Sequence, residues 1–320
     1  MRVYRLASSA LALFVATPAI ATSMYTAGVG CNGPFQESVG AGPVSQSCNN
    51  PATPLSGIMP LGTAVQIGNA HSSVGPFAMR LGTTAVLDVT GATSGNASVG
   101  NQAWGMWEFD DFLVTGTGSQ SVPVLGALHL ALGGTIFGTG LGDSQGSLTA
   151  VANGVGQIYF EIEINGTDAG YGQASYAYNN GSPIQLVDGL LIGHYGSGGS
   201  IADSITSSQL MIPVGQTFSV RVYVNASARG VVNIAGTPAD QFDTVNALGG
   251  GVSDFSTTVT FPTSGPVFDL PAGYTLNSPS AGIVNNQLVV PVPEPRLVTL
   301  LVTGIGVLGA LRRRTIHRQP

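Results

Sequence analysis

The stretch Gln157-Ile-Tyr-Phe-Glu-Ile-Glu-Ile164 does most to decide the fold class of this 320-residue chain. Apolar and polar residues alternate along it. One face carries Ile158, Phe160, Ile162 and Ile164, and the other carries Gln157, Tyr159, Glu161 and Glu163. Because successive side chains of a strand point to opposite sides, the alternation predicts an antiparallel β-strand with one buried and one solvated face.

Segments on both sides of this stretch have the same strand chemistry, being rich in β-branched and aromatic residues. We expect strands at Ala85 to Thr90, Val124 to Phe137, Thr217 to Val224 and Ser256 to Phe261. In the third of these, alternation predicts a buried face and leaves Arg221 outward. Its inward residues are Phe218, Val220, Val222 and Val224.

Asparagine–glycine pairs predict tight hairpin turns, since both residues adopt positive φ readily. They occur at Asn153-Gly154, Asn165-Gly166 and Asn180-Gly181. One short surface helix is expected at Asp240 to Leu248. Many short strands with closely spaced turns predict an all-β fold, which would be an antiparallel β-sandwich, a jelly roll or a related barrel.

Composition excludes a disordered chain and a helical protein, and it argues against a nucleic-acid-binding protein. With 46 Gly, 19 Pro and 43% hydrophobic residues, the chain is too apolar to be disordered and too rich in glycine to be helical. Between residues 22 and 292, three arginines stand against fifteen acidic residues, a net charge of −12. Such a surface repels phosphate backbones, so we expect no nucleic-acid partner.

The N-terminal end has the pattern of an export signal. Arg2 and Arg5 precede the apolar run Leu6 to Ala16, and Ala19-Ile20-Ala21 follows as a small–x–small site. This order predicts a signal peptide over residues 1–21 that signal peptidase removes.

Three features follow one another at the other end. They are Val292-Pro293-Glu294-Pro295, the uncharged run Leu297 to Leu311, and Arg312-Arg313-Arg314. A helix over residues 297–311 is about 22 Å long at 1.5 Å per residue, and flanking arginines can snorkel to the surfaces of a core about 30 Å thick. The arginine cluster would stay cytoplasmic, so we expect one transmembrane helix with the preceding domain outside.

In this order, residues 292–314 resemble a PEP-CTERM sorting signal. The resemblance implies processing near Pro293, Glu294 and Pro295 by an exosortase, a membrane cysteine transpeptidase, with Arg312, Arg313 and Arg314 as the membrane stop. It also implies a double-membraned bacterium that makes exopolysaccharide. The protein would be tethered to the inner membrane and then reach the cell surface or the medium. Arg296 and the tail up to Pro320 depart from the pattern, and an ordinary C-terminal anchor is the alternative.

The expected organisation has four parts. Residues 1–21 form the signal peptide, 22–60 a Gly- and Pro-rich segment with the cysteines, 61–291 the β-sandwich, and 292–320 the sorting signal. Cys31 and Cys48 are the only cysteines, and in an exported chain they predict one disulfide closing an N-terminal loop. Two free thiols are the alternative.

One motif suggests catalysis. Gly142-Asp143-Ser144-Gln145-Gly146 fits G-x-S-x-G, but a nucleophile elbow needs a strand before the serine and a helix after it. Glycines precede Ser144 and no amphipathic helix follows, and the candidate base His194 lies beside a glycine-rich run. We expect no enzyme, with a serine esterase or protease using Ser144 as the remote alternative.

Two further residue groups are candidates for binding. Glu108, Asp110 and Asp111 are weak Ca²⁺ candidates without EF-hand spacing, and we expect a solvated strand end with no metal or cofactor. Trp107, Tyr176 and Tyr178 are candidates for stacking on sugars, with core or cross-strand packing as the alternative. Trp104 and Trp107 are an odd number of residues apart, so one should face in and the other out.

The sequence thus favours an exported, non-enzymatic protein of the cell surface or extracellular matrix, associated with exopolysaccharide. The alternative is a carbohydrate-binding module that recognises exopolysaccharide, with or without Ca²⁺.

Overall fold

The computed structural model describes residues 23–31, 34–55, 62–116, 122–179, 182–192, 199–239 and 243–289. The expected signal peptide and sorting signal lie outside these residues, together with His194. Within the described part of the chain, the fold consists of antiparallel β-sheets without an α-helix, which confirms the all-β prediction.

Nineteen strands follow one another along the part of the chain that the structure describes. The first ten are β1 (Ser23–Cys31), β2 (Gln36–Gly40), β3 (Val44–Leu55), β4 (Thr63–Val74), β5 (Met79–Ala92), β6 (Gly95–Gly116), β7 (Val124–Gly142), β8 (Ser144–Gln145), β9 (Leu148–Ile164) and β10 (Thr167–Asn179). The others are β11 (Ser182–Gly189), β12 (Ser200–Thr206), β13 (Leu210–Ile212), β14 (Thr217–Ala235), β15 (Val245–Thr260), β16 (Phe268–Asp269), β17 (Tyr274–Asn277), β18 (Ile283–Val284) and β19 (Gln287–Leu288).

The strands form two large sheets that pack face to face, as in a β-sandwich. The nine-stranded sheet has the order β11-β10-β9-β14-β6-β1-β2, with β17 beside β6 and β8 beside β9. The eight-stranded sheet has the order β12-β7-β15-β5-β4-β3, with β13 and β16 beside β7. The short hairpin β18–β19 completes the described fold.

The N-terminal segment is part of both sheets. Strand β1 lies between β2 and β6 in the nine-stranded sheet, and β3 forms an edge of the eight-stranded sheet. Tyr25, Ala27 and Val29 are buried in the same core as the later strands. Residues 23–55 therefore belong to the sandwich, and the boundary expected near residue 60 does not separate two structural units.

The strands expected from alternation are all present and mostly longer than expected. Along β9, the four isoleucine and phenylalanine positions are buried, as they are at the inward positions of β14. The helix expected at Asp240 to Leu248 is wrong, because Val245–Leu248 belong to β15. Val245 and Ala247 are buried there, and β15 pairs with β5 and β7 on its two sides.

The three Asn-Gly pairs have different outcomes. Asn165 and Gly166 have φ values of 52° and 70° and connect β9 to β10, which confirms this turn. Asn180-Gly181 lies outside the described residues. The turn expected at Asn153-Gly154 is wrong, because both residues lie inside β9.

Glycines bring the two sheets into backbone contact along a line that we call the glycine seam. A Cβ on Gly154 would lie 1.8 Å from the carbonyl oxygen of Gly250, and one on Gly251 would lie 1.9 Å from that of Val155. Facing sheets usually lie about 10 Å apart with side chains between them, so the seam is unusually close. Its members are Gly138, Gly140, Gly154, Gly156, Gly230, Gly249 and Gly251.

The seam lies between two clusters of buried side chains. The larger cluster contains most of the buried aromatic residues, and the smaller one is built from alanine, valine, leucine and isoleucine. On β9, for example, Ala152 belongs to the smaller cluster and Ile158 to the larger, with Gly154 and Gly156 between them. Both clusters hold the sheets together by apolar burial, at roughly 25 cal/mol per Å².

Candidate functional site

The three aromatic residues expected to stack on sugars face the interior. The Trp107 side chain is fully buried, stacks on Phe261 at 5.3 Å and donates a hydrogen bond from Nε1 to the Gly75 carbonyl at 2.7 Å. Tyr176 is 9% exposed and stacks on Phe137, while Tyr178 is half-buried against the larger cluster. Core packing was the correct alternative, because strand alternation turns these rings toward the other sheet.

Trp104 takes the opposite direction, as the odd spacing predicts. It lies half-exposed on the solvent side of β6, where Gly28 of β1 leaves room for its ring. Phe35, which precedes β2, packs against it edge-on with 5.3 Å between ring centroids.

The three carboxylates considered for Ca²⁺ do not converge. Glu108 and Asp110 lie toward solvent, whereas Asp111 is buried. Asp111 continues the inward series of Trp107 and Phe109, and one extra residue of β6 opposite β14 then brings Phe112 inward directly after it. Asp111 accepts hydrogen bonds from Ser278 Oγ, Ser280 Oγ and Ser280 N at 2.5, 2.6 and 2.8 Å. No group of three His, Cys, Asp or Glu side chains that could hold a metal occurs among the described residues.

The G-x-S-x-G segment does not form a nucleophile elbow. Ser144 is exposed in β8, which pairs with the start of β9, so a strand rather than a helix follows it. Its backbone N–H is bonded to Asp143 Oδ1 at 2.8 Å.

His129 is bonded on both ring nitrogens. Nε2 lies 2.9 Å from Asp269 Oδ1, and Nδ1 lies 2.9 Å from Thr206 Oγ1. These contacts link β12, β7 and β16 across the surface of the eight-stranded sheet, so His129 acts as a hydrogen-bonded structural residue.

A different surface collects several of the aromatic and amide side chains that remain outside the core. It is the solvent side of β10, β9, β14 and β6 in the nine-stranded sheet, and we call it the outer face. Its side chains include Gln102, Trp104, Met106 and Glu108 of β6, Gln157, Tyr159, Glu161 and Glu163 of β9, Tyr171 and Gln173 of β10, and Arg221, Tyr223, Asn225, Ser227 and Arg229 of β14.

Strand register arranges these residues in rows across the sheet. One row reads Trp104, Asn225, Tyr159 and Gln173, and the next reads Gln102, Ser227, Gln157 and Ser175. Neighbouring strands lie about 4.8 Å apart, so four strands make a face about 14 Å wide between the outermost strand axes. A row in which aromatic rings alternate with amides therefore lies beside a row of amides and hydroxyls.

Three tyrosines form a cluster at the centre of this face. The Tyr159 ring stacks on Tyr171 at 6.5 Å and contacts Tyr223 at 6.3 Å. The hydroxyl of Tyr159 donates to Glu161 at 3.1 Å, and that of Tyr171 donates to Asp188 at the same distance. Asn225 Nδ2 donates to the Tyr223 hydroxyl at 3.1 Å.

The surroundings of Tyr159 and Tyr171 raise the pKa of both hydroxyls. Desolvation, followed by the hydrogen bond to Glu161, raises the pKa of Tyr159 above its ordinary value. The hydrogen bond to Asp188 is the main cause that raises the pKa of Tyr171. Both hydroxyls are protonated at physiological pH even at the ordinary tyrosine pKa of about 10, and their hydrogen bonds to Glu161 and Asp188 fix the polar ends of the two flat rings.

Hollows open along the nine-stranded sheet. One of about 620 Å³ lies among Phe35, Gln102, Gln157, Ser227 and Arg229. A hollow of about 190 Å³ lies among Glu161, Glu163, Arg221 and Tyr223, where Arg221 Nη1 and Glu163 Oε2 are 3.2 Å apart. Another, of about 390 Å³, lies beside Glu108 and Asp110.

Exposed aromatic rings with hydrogen-bonding groups between them suit a sugar polymer, whose rings have apolar faces and hydroxyl edges. The alternation of the stretch 157–164 already placed Tyr159 on the solvated side. The sequence could not show that Trp104 and Tyr171 lie on the same face as Tyr159, because that depends on which strands are neighbours in the sheet.

No family model, curated protein or solved structure matches this chain. Within the residues that the structure describes, no helix has the length and hydropathy needed to cross a membrane.

Proposed function

We propose that this chain is an exported protein of the cell surface or extracellular matrix that binds exopolysaccharide through the outer face and has no catalytic role. The observation that carries the proposal is the cluster of Tyr159, Tyr171 and Tyr223 on a solvent-facing sheet, with Trp104 nearby in the row of Tyr159.

Export and sorting are supported by the two ends of the sequence. Residues 1–21 have the pattern of a signal peptide, and Pro293-Glu294-Pro295 with the following apolar run and arginines resembles a PEP-CTERM signal. A Cys31–Cys48 disulfide is in keeping with an oxidising compartment. Signal peptidase and an exosortase would then be the processing enzymes.

Binding of a polymer is supported by the shape and chemistry of the outer face. Its rings are held by contacts with one another, so little side-chain freedom is lost on binding. Amides at Gln102, Gln157 and Asn225 can both donate and accept hydrogen bonds.

The proposal predicts that Tyr159→Ala weakens binding of the protein to exopolysaccharide from its own cells by about tenfold, because one ring-to-sugar contact is lost. Tyr159→Phe keeps the ring and should retain most of the affinity. Binding is measured by co-sedimentation with the purified polymer.

Phe137→Ala is the matched control, since Phe137 is 46% exposed on a strand of the other sheet. Equal binding by Tyr159→Ala, Phe137→Ala and the unaltered protein would refute the proposed site.

A further inference from the structure

Arg229 is the charged residue of the hollow of about 620 Å³ on the outer face. The lining residues are otherwise uncharged, with Phe35, Gln102, Gln157 and Ser227 among them. Arg229 is exposed and makes no ion pair with a described residue. Arg221, in contrast, lies 3.2 Å from Glu163.

The strand register isolates Arg229 from the carboxylates of the sheet. Its direct partners across the strands are Gly100 of β6 and Val155 of β9. The next outward positions along β14 are Ser227 and Val231. Among the described residues, the guanidinium of Arg229 therefore has amides and a hydroxyl beside it and no carboxylate in an ion pair with it.

The acidic part of the outer face lies far along the strands. Arg221 is opposite both Glu108 and Glu163, and Arg229 lies eight positions further along β14. At about 3.3 Å per residue this is roughly 26 Å, well beyond a Debye length of about 8 Å at physiological salt. The two ends of the face therefore act on a ligand independently.

A guanidinium presents paired N–H donors that match the two oxygens of a carboxylate. Dense negative charge along a ligand would be repelled by Glu108, Glu161 and Glu163 at the other end. The outer face thus combines one anion-binding position with a long region that suits uncharged sugars.

We propose that Arg229 binds the carboxylate of an acidic sugar unit, so that the ligand is a polysaccharide that contains both uronic acids and neutral units. This inference rests on the proposed function, since it names the class of polymer that the same face binds.

Hyaluronan is a suitable probe, because glucuronate alternates in it with a neutral amino sugar, and carboxyl-reduced hyaluronan is its uncharged counterpart. The unaltered protein should bind hyaluronan about tenfold more tightly than the reduced polymer. Added salt should weaken binding of hyaluronan but not binding of the reduced polymer. Arg229→Gln should abolish that difference in affinity. Arg229→Lys should retain part of the difference, since lysine keeps the positive charge but lacks the paired N–H donors of a guanidinium.

Arg80→Gln is the matched control. Arg80 is also exposed, but it lies on β5 of the other sheet, and its loss should leave both affinities unchanged. The thermal midpoints of all variants should equal that of the unaltered protein, because neither arginine supports the core.

The outcomes separate the two proposals. Equal affinity for hyaluronan and its reduced form, with both lost in Tyr159→Ala, would overturn the role of Arg229 and leave the proposed function standing. A preference for hyaluronan that persists in Arg229→Gln would also overturn it. Failure of the unaltered protein to bind any of these polymers or its own exopolysaccharide would overturn both.

Discussion

Cys31 and Cys48 link the two layers of the sandwich. Cys31 ends β1 of the nine-stranded sheet, and Cys48 lies in β3 of the eight-stranded sheet. The sequence predicted the bond correctly from the compartment and the cysteine count. It could not predict that the bond crosses from one sheet to the other, because that depends on where β1 and β3 pair.

Reduction of this disulfide should lower the free energy of unfolding by about 3 kcal/mol, since it releases a loop closed over a separation of 17 residues. Denaturant unfolding of the exported protein with and without reductant measures the change. The double variant Cys31→Ser with Cys48→Ser is the control and should not respond to reductant. Alkylation of both thiols in the native, unreduced protein would contradict the bond.

Other single residues show where sequence patterns reach their limit. Alternation correctly separated Trp104 from Trp107, because a period of two needs no knowledge of neighbouring strands. The solvated strand end expected for Asp111 was wrong, because Asp111 shares the inward face of Trp107 and accepts hydrogen bonds from Ser278 and Ser280. Those serines are far away in sequence, so no local pattern identifies them as partners.

Among the elements, the β9–β10 hairpin is the one whose turn the sequence identified best. Gly166 has a φ of 70°, and a Cβ there would meet no atom within 4 Å. Gly166→Ala should therefore destabilise the protein by about 1 kcal/mol through backbone conformation alone. Gly42→Ala is the control, since Gly42 also has open space but no positive φ.

Thermal or denaturant unfolding of the two alanine variants tests this prediction. Equal stabilities for Gly166→Ala and Gly42→Ala would show that the turn is not strained by a side chain at Gly166.

An Asn-Gly pair also occurs inside β9, where its glycine is needed for a different reason than in the turn. Asn153-Gly154 has the composition of a turn, yet Gly154 is glycine because the opposite sheet leaves no room for a side chain. A local sequence cannot distinguish a glycine that turns the chain from one that admits a neighbouring backbone. For this reason strand existence and facing were predictable, whereas this break in β9 was predicted wrongly.

At the scale of the whole molecule, the glycine seam sets the distance between the sheets. Gly154→Ala would place a methyl carbon 1.8 Å from the Gly250 oxygen, so the layers would have to separate along the seam. We expect a loss of at least about 3 kcal/mol in the free energy of unfolding. Circular dichroism and thermal unfolding measure it.

Gly100→Ala is the control for the seam. Gly100 lies in β6, and the nearest atom to its added Cβ is the Ala228 oxygen at 3.9 Å, an ordinary contact. The free energy of unfolding of the Gly100→Ala variant should differ from that of the unaltered protein by less than about 0.5 kcal/mol. Equal effects of the two substitutions would contradict the close approach of the sheets.

The seam also has a genetic consequence. Every glycine codon begins with a pair of guanines, and a change of either base to any other introduces a side chain or a stop. At Gly138, Gly140, Gly154, Gly156, Gly230, Gly249 and Gly251, such a change would place atoms where a carbonyl oxygen of the facing or adjoining backbone already lies. Only third-base changes would leave the protein unchanged, so related genes should differ at these codons in their last base alone.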